Sequence, residues 1–229
     1  YELAWYQDSL KAQGGFSLER CALQDPCSAA DNWQASNAIL GGTPNQQNSV
    51  IQWQPDTLAA LLLFAEVRDS NLLALGFSEP MDSTSLAQCA IQFSTNLGAY
   101  NRSVLPYQQM QNGAQLLLFF IQNLPKSQKI DIDLQLVSDC WGNQSSIQSS
   151  FVRYELPQPG ELLLNEILFD PPTFGADFIE LYNTSHKYLQ INACQISNGQ
   201  QQYWIEKPFI EPKQFLVLCP DTGFLNAYY

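Results

Sequence analysis

The stretch Lys129-Ile-Asp-Ile-Asp-Leu-Gln-Leu-Val137 decides the class of fold. Apolar and polar residues alternate along it. One predicted face carries Ile130, Ile132, Leu134 and Leu136, and the other carries Asp131, Asp133 and Gln135. Alternation with a period of two is the pattern of a half-buried strand in an antiparallel sheet. The stretch therefore predicts a β-strand with one face toward a core.

The rest of the chain repeats this character in shorter runs, and helical periodicity is nearly absent. Leu61–Arg68 and Leu72–Phe77 predict a hairpin that turns at Asp69-Ser-Asn71. Cys89–Ser94 and Leu116–Ile121 predict further strands. Strands at this spacing, without helices between them, favour an all-β chain built from immunoglobulin-like β-sandwiches in tandem.

Composition limits the possible partners. The chain has 229 residues, a formal net charge of −12 and a sequence pI near 4.2, and its ten Lys and Arg residues are scattered. Nucleic-acid binding needs a basic surface that displaces phosphate counterions, so no nucleic-acid partner is expected. No apolar run reaches the ~20 residues of a bilayer-spanning helix, so no direct membrane insertion is expected either.

The middle segment carries two motifs of a known family. Leu73-Ala-Leu-Gly-Phe-Ser-Glu-Pro-Met-Asp82 resembles the Phe-Ser-Glu-Pro-Met-Asp stretch of the bacterial Ig-like domains known from surface-layer proteins, and Val137-Ser-Asp-Cys-Trp-Gly-Asn143 is similar to the turn that ends them. We predict that Asp82 or Ser83 caps a short helical turn. Gly142-Asn143 suits a tight turn that needs positive φ. The resemblance implies a spacer or stalk module over residues 55–158.

The last segment resembles a different domain. Gly160-Glu-Leu-Leu-Leu-Asn-Glu-Ile-Leu-Phe-Asp-Pro-Pro172 and Asp177-Phe-Ile-Glu-Leu-Tyr-Asn183 are similar to the opening half of a bacterial lamin-tail domain, which is itself an immunoglobulin-like sandwich. The predicted strands of this segment are Glu161–Phe169, Phe178–Tyr182, Tyr188–Ile196, Gln202–Ile205 and Gln214–Cys219. We assign it to residues 159–229.

The first segment resembles the other half of the same domain type. Gly14-Gly-Phe-Ser-Leu-Glu-Arg20, Asn32-Trp33 and Gly41-Gly-Thr-Pro44 are similar to the closing half of a lamin-tail domain. With a linker this half spans residues 1–54. We therefore expect the chain to be an excerpt of a longer protein, beginning inside one copy and ending inside the next. A half domain is expected to leave apolar residues such as Leu163, Ile167 and Ile179 exposed.

Six cysteines and a single histidine disfavour a zinc site, since no Cys-x-x-Cys pair is present. Spacing suggests one disulfide in each segment; the alternative is six buried thiols. The suggested pairs are Cys21–Cys27, Cys89–Cys140 and Cys194–Cys219. Disulfides imply an oxidising setting, so we expect an extracellular or bacterial cell-surface location.

Acidic residues of the last segment are the candidate metal ligands. Glu166, Asp170, Asp177 and Glu180 lie on two neighbouring predicted strands and their connecting loop. Calcium takes six to eight oxygen ligands, so these residues are calcium candidates; the alternative is turn formation and capping. No other cofactor is expected.

No catalytic residue is predicted. His186 follows Asn183-Thr-Ser185, a predicted turn, and no Gly-x-Ser-x-Gly elbow accompanies it. Glu79 with Asp82, or Glu166 with Glu180, has the composition of a glycosidase pair, but paired acids are common in a chain with 22 of them.

The positions of two tryptophans predict different environments for their rings. Trp33 is expected to pack, and Trp53 is the ring most expected to be exposed for stacking on a sugar.

We predict a non-enzymatic structural or adhesive spacer of a bacterial secreted or cell-surface protein. Its partners are then neighbouring domains of the same polypeptide, or a cell-surface protein or glycan. The alternative is an accessory region of a secreted hydrolase whose catalytic domain lies elsewhere.

Overall fold

The computed structural model describes residues 2–24, 27, 32–51, 56–105, 114–171, 175–197, 199–200 and 202–220. The chain divides into two compact units, which are described separately. The first comprises Tyr1–Asn123 and Asp131–Phe151, and the second comprises Leu124–Ile130 and Val152–Tyr229. The boundaries at 54/55 and 158/159, which come from motifs, stay predictions. Within the described part, none of the helices has both the length and the apolar character required to traverse a bilayer.

Strands are the main regular elements of the first unit. Residues Leu3–Tyr6 and Lys11–Gln13 form two short 3₁₀ helices. The strands are β1 (Leu18–Arg20), β2 (Trp33–Ala35), β3 (Leu62–Asp69), β4 (Leu72–Phe77), β5 (Ala90–Phe93), β6 (Tyr100–Leu105), β7 (Gln115–Phe120), β8 (Lys129–Ser138) and β9 (Gln144–Val152), with one helix, α1 (Ser83–Gln88). The first two residues of β8 and the last residue of β9 are assigned to the second unit. Strands β1 and β2 form a two-stranded antiparallel sheet of their own. The order β3-β4-β7-β6 makes one larger sheet and β5-β8-β9 the other.

The predicted hairpin is confirmed by β3 and β4, which pair antiparallel with Ala65 opposite Leu75. The predicted capping of a short helical turn is confirmed as well. The Asp82 carboxylate accepts hydrogen bonds from the backbone N–H groups of Thr84 at 3.2 Å and Ser85 at 2.9 Å. These bonds satisfy two donors that the first turn of α1 leaves without a partner inside the helix.

Strand β8 follows the predicted alternation for most of its length and then breaks it. Ile130, Ile132 and Leu134 are buried, whereas Leu136 is 66% exposed. The prediction that Leu136 shares their face is therefore wrong. Its backbone takes φ of 52°, which turns the strand locally, and the fully buried Val137 lies inward in its place. Such an irregularity re-aims side chains without ending a strand.

The two larger sheets of the first unit pack face to face through aromatic rings. Phe93 on β5 contacts Phe120 on β7 and Tyr100 on β6, with ring centroids 5.7 and 5.8 Å apart. Edge-on ring pairs of this kind contribute about 0.5–1.5 kcal/mol each beyond their buried area. The core between the sheets is thus that of a β-sandwich.

The second unit carries the remaining strands. They are β10 (Leu162–Leu168), β11 (Phe178–Asn183), β12 (Leu189–Gln190), β13 (Gln195–Ser197), β14 (Gln202–Trp204), β15 (Phe209–Ile210) and β16 (Phe215–Leu218). They pair as β10-β11-β16, β12-β15 and β13-β14, all antiparallel. Its buried core consists of Leu181, Leu189, Ile191, Ile205 and Ile210.

One predicted strand of this unit is wrong in extent. The span Tyr188–Ile196 is two short strands, β12 and β13, separated by a turn in which the Cys194 N–H donates to the Ile191 carbonyl at 2.9 Å. Strand β15 was not predicted, because two residues beside Pro208 are too short to show a period.

Candidate functional site

The most organised polar group of the first unit lies in the turn after β8. Asp139 is 1% exposed. Its Oδ1 accepts hydrogen bonds from the backbone N–H groups of Trp141 and Asn143, both at 2.9 Å, and its Oδ2 accepts one from the Asn143 side-chain amide, also at 2.9 Å. Gly142 takes φ of +88° inside this turn. The prediction of a tight Gly142-Asn143 turn is confirmed, and the carboxylate inside it is satisfied by three donors.

Asn143 extends this network to a segment far away in sequence. Its Nδ2 also donates to the carbonyl oxygens of Asp56, at 3.2 Å, and Leu58, at 3.1 Å. The Cys140 N–H donates to the Pro80 carbonyl at 3.1 Å. The turn after β8 is therefore joined to the entry to β3 by the Asn143 side chain and to the loop before α1 by the Cys140 backbone.

Three carboxylates meet at this place. One oxygen from each of Asp56, Glu79 and Asp139 lies within 4.8 Å of the other two. Like charges at this spacing repel, and a hard cation with oxygen ligands is one group that would offset the repulsion. No signal in the sequence indicated this trio, since Asp56 and Asp139 lie 83 positions apart and no local motif links them to Glu79.

A disulfide closes the same turn. Cys27 and Cys140 are bonded across a sequence separation of 113 residues, with Cα atoms 5.3 Å apart. This bond overturns the predicted pairs Cys21–Cys27 and Cys89–Cys140. The physical reason is that sequence spacing does not determine which Cα atoms the folded sheets bring within reach.

Two other cysteines carry thiols, which overturns their predicted pairing. Cys89 is buried, and its Sγ donates to the Leu86 carbonyl at 3.5 Å. Burial raises the pKa of this thiol, against the opposing effect of the nearby Arg102 guanidinium. Cys194 is a thiol whose pKa is also raised by burial, so the Cys194–Cys219 bond is absent. Cys194 lies at the edge of the hydrophobic core of the second unit.

The N-terminal part of the first unit has a second buried carboxylate. Glu19 is 4% exposed. Its Oε1 accepts from the Thr43 hydroxyl at 2.8 Å, and its Oε2 accepts from the Ser49 N–H at 2.6 Å and the Ser49 hydroxyl at 2.8 Å. Burial alone would raise its pKa, but hydrogen bonds involving Ser36, Thr43 and Ser49 outweigh it and hold the pKa at about 2. Glu19 therefore ties β1 to the chain that follows β2.

The four predicted calcium ligands lie on β10 and β11 and on the chain beside these strands. Glu166 on β10 lies opposite Glu180 on β11, and the Asn165 amide donates to a Glu180 oxygen at 2.6 Å. Asp170 follows β10 and Asp177 precedes β11. Among the described residues, Asp56, Glu79 and Asp139 form the only group of three acidic, histidine or cysteine side chains that lie close enough together to hold a metal ion. Calcium binding by the predicted four stays a prediction.

The remaining candidates have simple positions. His186 is exposed in the turn after β11, as predicted. Asp82 caps α1, and Glu79 belongs to the acidic trio. Trp33 packs as predicted: its ring stacks on Trp5 with centroids 6.3 Å apart, and the Arg20 guanidinium lies 5.7 Å from its centroid. Trp53 lies outside the described residues.

Comparisons with known proteins give a limited result. No protein-family model and no curated protein matches the sequence. Among solved structures, the chain is similar to the N-terminal part of the bacterial S-layer protein SbsC, with 13% identity and a TM-score of 0.33 over 72% of this chain and 42% of that one. Two further structures, the S-layer protein rSbsC(31-844) and domains 1-6 of surface layer protein SbsC, each have 12% identity and a TM-score of 0.33. They are matched over 72% of this chain and 24% of theirs.

This chain thus spans less than half the length of the S-layer structures to which it is similar. A TM-score of 0.33 is too low to define a shared arrangement of strands. The function has to be argued from the residues of this chain.

Proposed function

We propose that this chain is a non-enzymatic structural spacer of a bacterial secreted or cell-surface multidomain protein, built from a surface-layer-type Ig-like sandwich between two lamin-tail halves. The observation that carries the proposal is the disulfide between Cys27 and Cys140. A stable disulfide is typical of secreted and cell-surface proteins, because cytosolic thiols are kept reduced. Its position also has a mechanical consequence.

The disulfide bypasses most of the first unit when the chain is pulled from its ends. Tension applied before Cys27 passes through the disulfide to Cys140, so the chain between the two cysteines, which are 113 positions apart, carries no load. The bond joins the turn that Asp139 and Asn143 hold through three hydrogen bonds. Covalent and polar restraints therefore coincide at one point, which suits a module that transmits force or keeps a distance.

Single-molecule force spectroscopy tests the proposal. At ~3.5 Å per residue, the chain between the two cysteines has an extended length of about 400 Å. We expect the oxidised protein to unfold with a contour length shorter by this amount than the reduced protein. A Cys27→Ser variant should extend fully under both conditions, and Cys89→Ala is the matched control that leaves the bond intact. Equal lengths for the oxidised and reduced protein would contradict the proposal.

The proposed partners are neighbouring domains of the same polypeptide, with a cell-surface protein or glycan as a distal ligand. Binding to a glycan array would identify the glycan, and the absence of binding to every glycan on the array would contradict a glycan ligand.

Calcium at Glu166, Asp170, Asp177 and Glu180 is tested by thermal unfolding with added calcium. A stabilisation that disappears in the Asp170→Ala, Asp177→Ala variant supports this set, and a stabilisation that persists there but disappears in Asp56→Asn, Glu79→Gln assigns the ion to the other trio.

A further inference from the structure

The Cys27–Cys140 disulfide lies within reach of small thiols. Both cysteines are partly exposed, and both line a groove of about 720 Å³ in the first unit. A thiolate breaks a disulfide by attacking one of its two sulfur atoms, so the reagent has to approach through this groove. The rate of reduction in the native protein is therefore governed by the groups that surround the two sulfur atoms.

Three carboxylates lie beside Cys140. Asp139 precedes it in the chain, and the Cys140 N–H donates to the carbonyl of Pro80, the residue that follows Glu79, at 3.1 Å. Asp139 and Glu79 belong to the acidic trio, in which one carboxylate oxygen of each member lies within 4.8 Å of the other two. Asp56 is the third member. The trio is therefore next to the disulfide, on its Cys140 side.

The groove adds a fourth carboxylate and no cationic side chain. Asp82 lines it together with both cysteines and Asp139. Among the described residues that line the groove, none is Lys, Arg or His. The formal net charge of the whole chain, −12, has the same sign as these carboxylates. An anion that enters the groove is therefore repelled both by nearby charges and by the field of the chain.

Reduction places negative charge in this position whichever sulfur is attacked. The attacking thiolate forms a new S–S bond with one cysteine, and the electron pair of the broken bond leaves on the other cysteine as a thiolate. When Cys140 is attacked, the incoming thiolate lies beside Asp139. When Cys27 is attacked, the departing thiolate of Cys140 lies there instead. The same carboxylates therefore slow both routes.

The second step completes the exchange. Another thiolate attacks the reagent's sulfur in the mixed disulfide and expels the remaining cysteine thiolate. Two molecules of the reagent are thereby oxidised to one disulfide, both cysteines are reduced, and each takes up a proton from the solvent. This step also brings an anion into the groove.

We propose that the four carboxylates select the reductant of the Cys27–Cys140 disulfide by charge. Anionic thiols reduce the bond slowly, and thiols that carry a cationic group reduce it quickly. The inference concerns the chemistry of the bond, goes beyond the spacer function and does not depend on it. Its consequence is that the bond persists among anionic low-molecular-weight thiols. The four carboxylates are those of Asp56, Glu79, Asp82 and Asp139.

Elementary electrostatics sets the size and the salt dependence of the effect. One unit charge about 7 Å from another changes a rate by about two- to threefold in water. Several carboxylates acting together give at least about tenfold between reagents that differ by two charges. Salt screens exposed charges beyond about 10 Å at ~0.1 M, so the selectivity should decrease as NaCl is added. A bond protected by burial alone would respond neither to the charge of the reagent nor to salt.

A series of three small thiols measures the selectivity on the full chain. The thiolates of cysteamine, 2-mercaptoethanol and 2-mercaptoethanesulfonate carry no net charge, one negative charge and two negative charges. Each rate is divided by the thiolate concentration and by the rate of the same reagent with the uncharged disulfide of 2-mercaptoethanol, which removes differences in intrinsic reactivity. Acid quenching, alkylation and peptide mapping give the reduced fraction of Cys27 and Cys140. EDTA in every buffer keeps divalent cations from neutralising the carboxylates.

We expect the normalised rate for cysteamine to exceed that for 2-mercaptoethanesulfonate by at least about tenfold at low ionic strength. The ratio of the two rates should approach one in ~1 M NaCl. Equal normalised rates for the three thiols, or a ratio that salt leaves unchanged, would overturn the proposal. A rate that does not depend on thiol concentration would do so as well, because opening of the fold would then limit the reduction.

A double variant with a matched control assigns the selectivity to the carboxylates. Asp56→Asn with Glu79→Gln keeps the shape of both side chains and removes two charges, so the ratio should fall by at least about threefold. The control is Asp131→Asn with Glu66→Gln, because both residues are exposed in the first unit and neither lines the groove. The control should keep the parent ratio. Circular dichroism and thermal unfolding verify that both variants fold, and a folded Asp56→Asn, Glu79→Gln protein with the parent ratio would contradict the proposal.

Discussion

Asp139 and Asn143 hold each other through three contacts within a five-residue turn. The Asn143 N–H and its side-chain amide each donate to the Asp139 carboxylate at 2.9 Å, and the Asp139 N–H donates to the Asn143 carbonyl at 3.1 Å. The same Asn143 amide also bonds carbonyl oxygens before β3. The pair therefore connects the turn after β8 to the segment that leads into β3, the first strand of the larger sheet.

We expect Asp139→Ala to destabilise the first unit by about 2–3 kcal/mol, because it leaves partly buried donors of Trp141 and Asn143 without their acceptor. Urea unfolding measures the change. Asp131→Ala, an exposed aspartate on β8, is the control and should change stability by less than about 0.5 kcal/mol. Equal effects of the two substitutions would show that the network adds nothing.

Reduction of the Cys27–Cys140 bond should destabilise the first unit by about 4–5 kcal/mol in the chain-entropy model, since the closed loop spans 113 residues. Urea unfolding with and without reductant measures the loss. The Cys27→Ser variant should show the lower stability under both conditions. If the reductant destabilises Cys27→Ser as much as the parent protein, another bond is responsible.

The free energy of unfolding should decrease between pH 4.5 and pH 2, because Glu19 becomes protonated. Its pKa is about 2 in the folded protein, against an ordinary value of 4.5. The folded pKa is depressed, so the contribution is complete above pH 4.5 and is lost as the pH falls from 4.5 toward 2. It amounts to about 3 kcal/mol, because one pKa unit corresponds to about 1.4 kcal/mol.

A Glu19→Gln variant should be less stable than the parent at neutral pH and should lose less stability between pH 4.5 and 2. Denaturant unfolding at a series of pH values gives both quantities. The exposed Glu2 supplies the control, as Glu2→Gln should leave the whole profile unchanged. Parallel profiles for Glu19→Gln and the parent protein would assign the acid sensitivity to other carboxylates.

The Cys89 thiol should react slowly with a thiol reagent in the native protein, because it is 7% exposed and burial raises its pKa. Labelling followed by mass spectrometry measures the rate at Cys89, which should approach that of a model thiol only in denaturant. Cys89→Ala identifies its signal. Rapid native labelling at Cys89 would contradict the buried position.

Local structure could be predicted from the sequence because it depends on interactions between residues close together in the chain. The hairpin of β3 and β4, the Asp82 cap on α1 and the Gly142-Asn143 turn all depend on neighbouring residues. The alternation in Lys129–Val137 correctly predicted strand β8 and its buried Ile130, Ile132 and Leu134. It failed at Leu136, where a positive φ overrides the period of two.

Contacts across the fold could not be obtained in this way. Residue order and side-chain type determined that the chain is all-β and where most of its strands run, since strand periodicity and turn residues are local properties. Only the tertiary structure decided that Cys27 meets Cys140 and that Asp56 and Glu79 approach Asp139. Such pairs depend on sheet order and register, which place residues far apart in the chain within bonding distance.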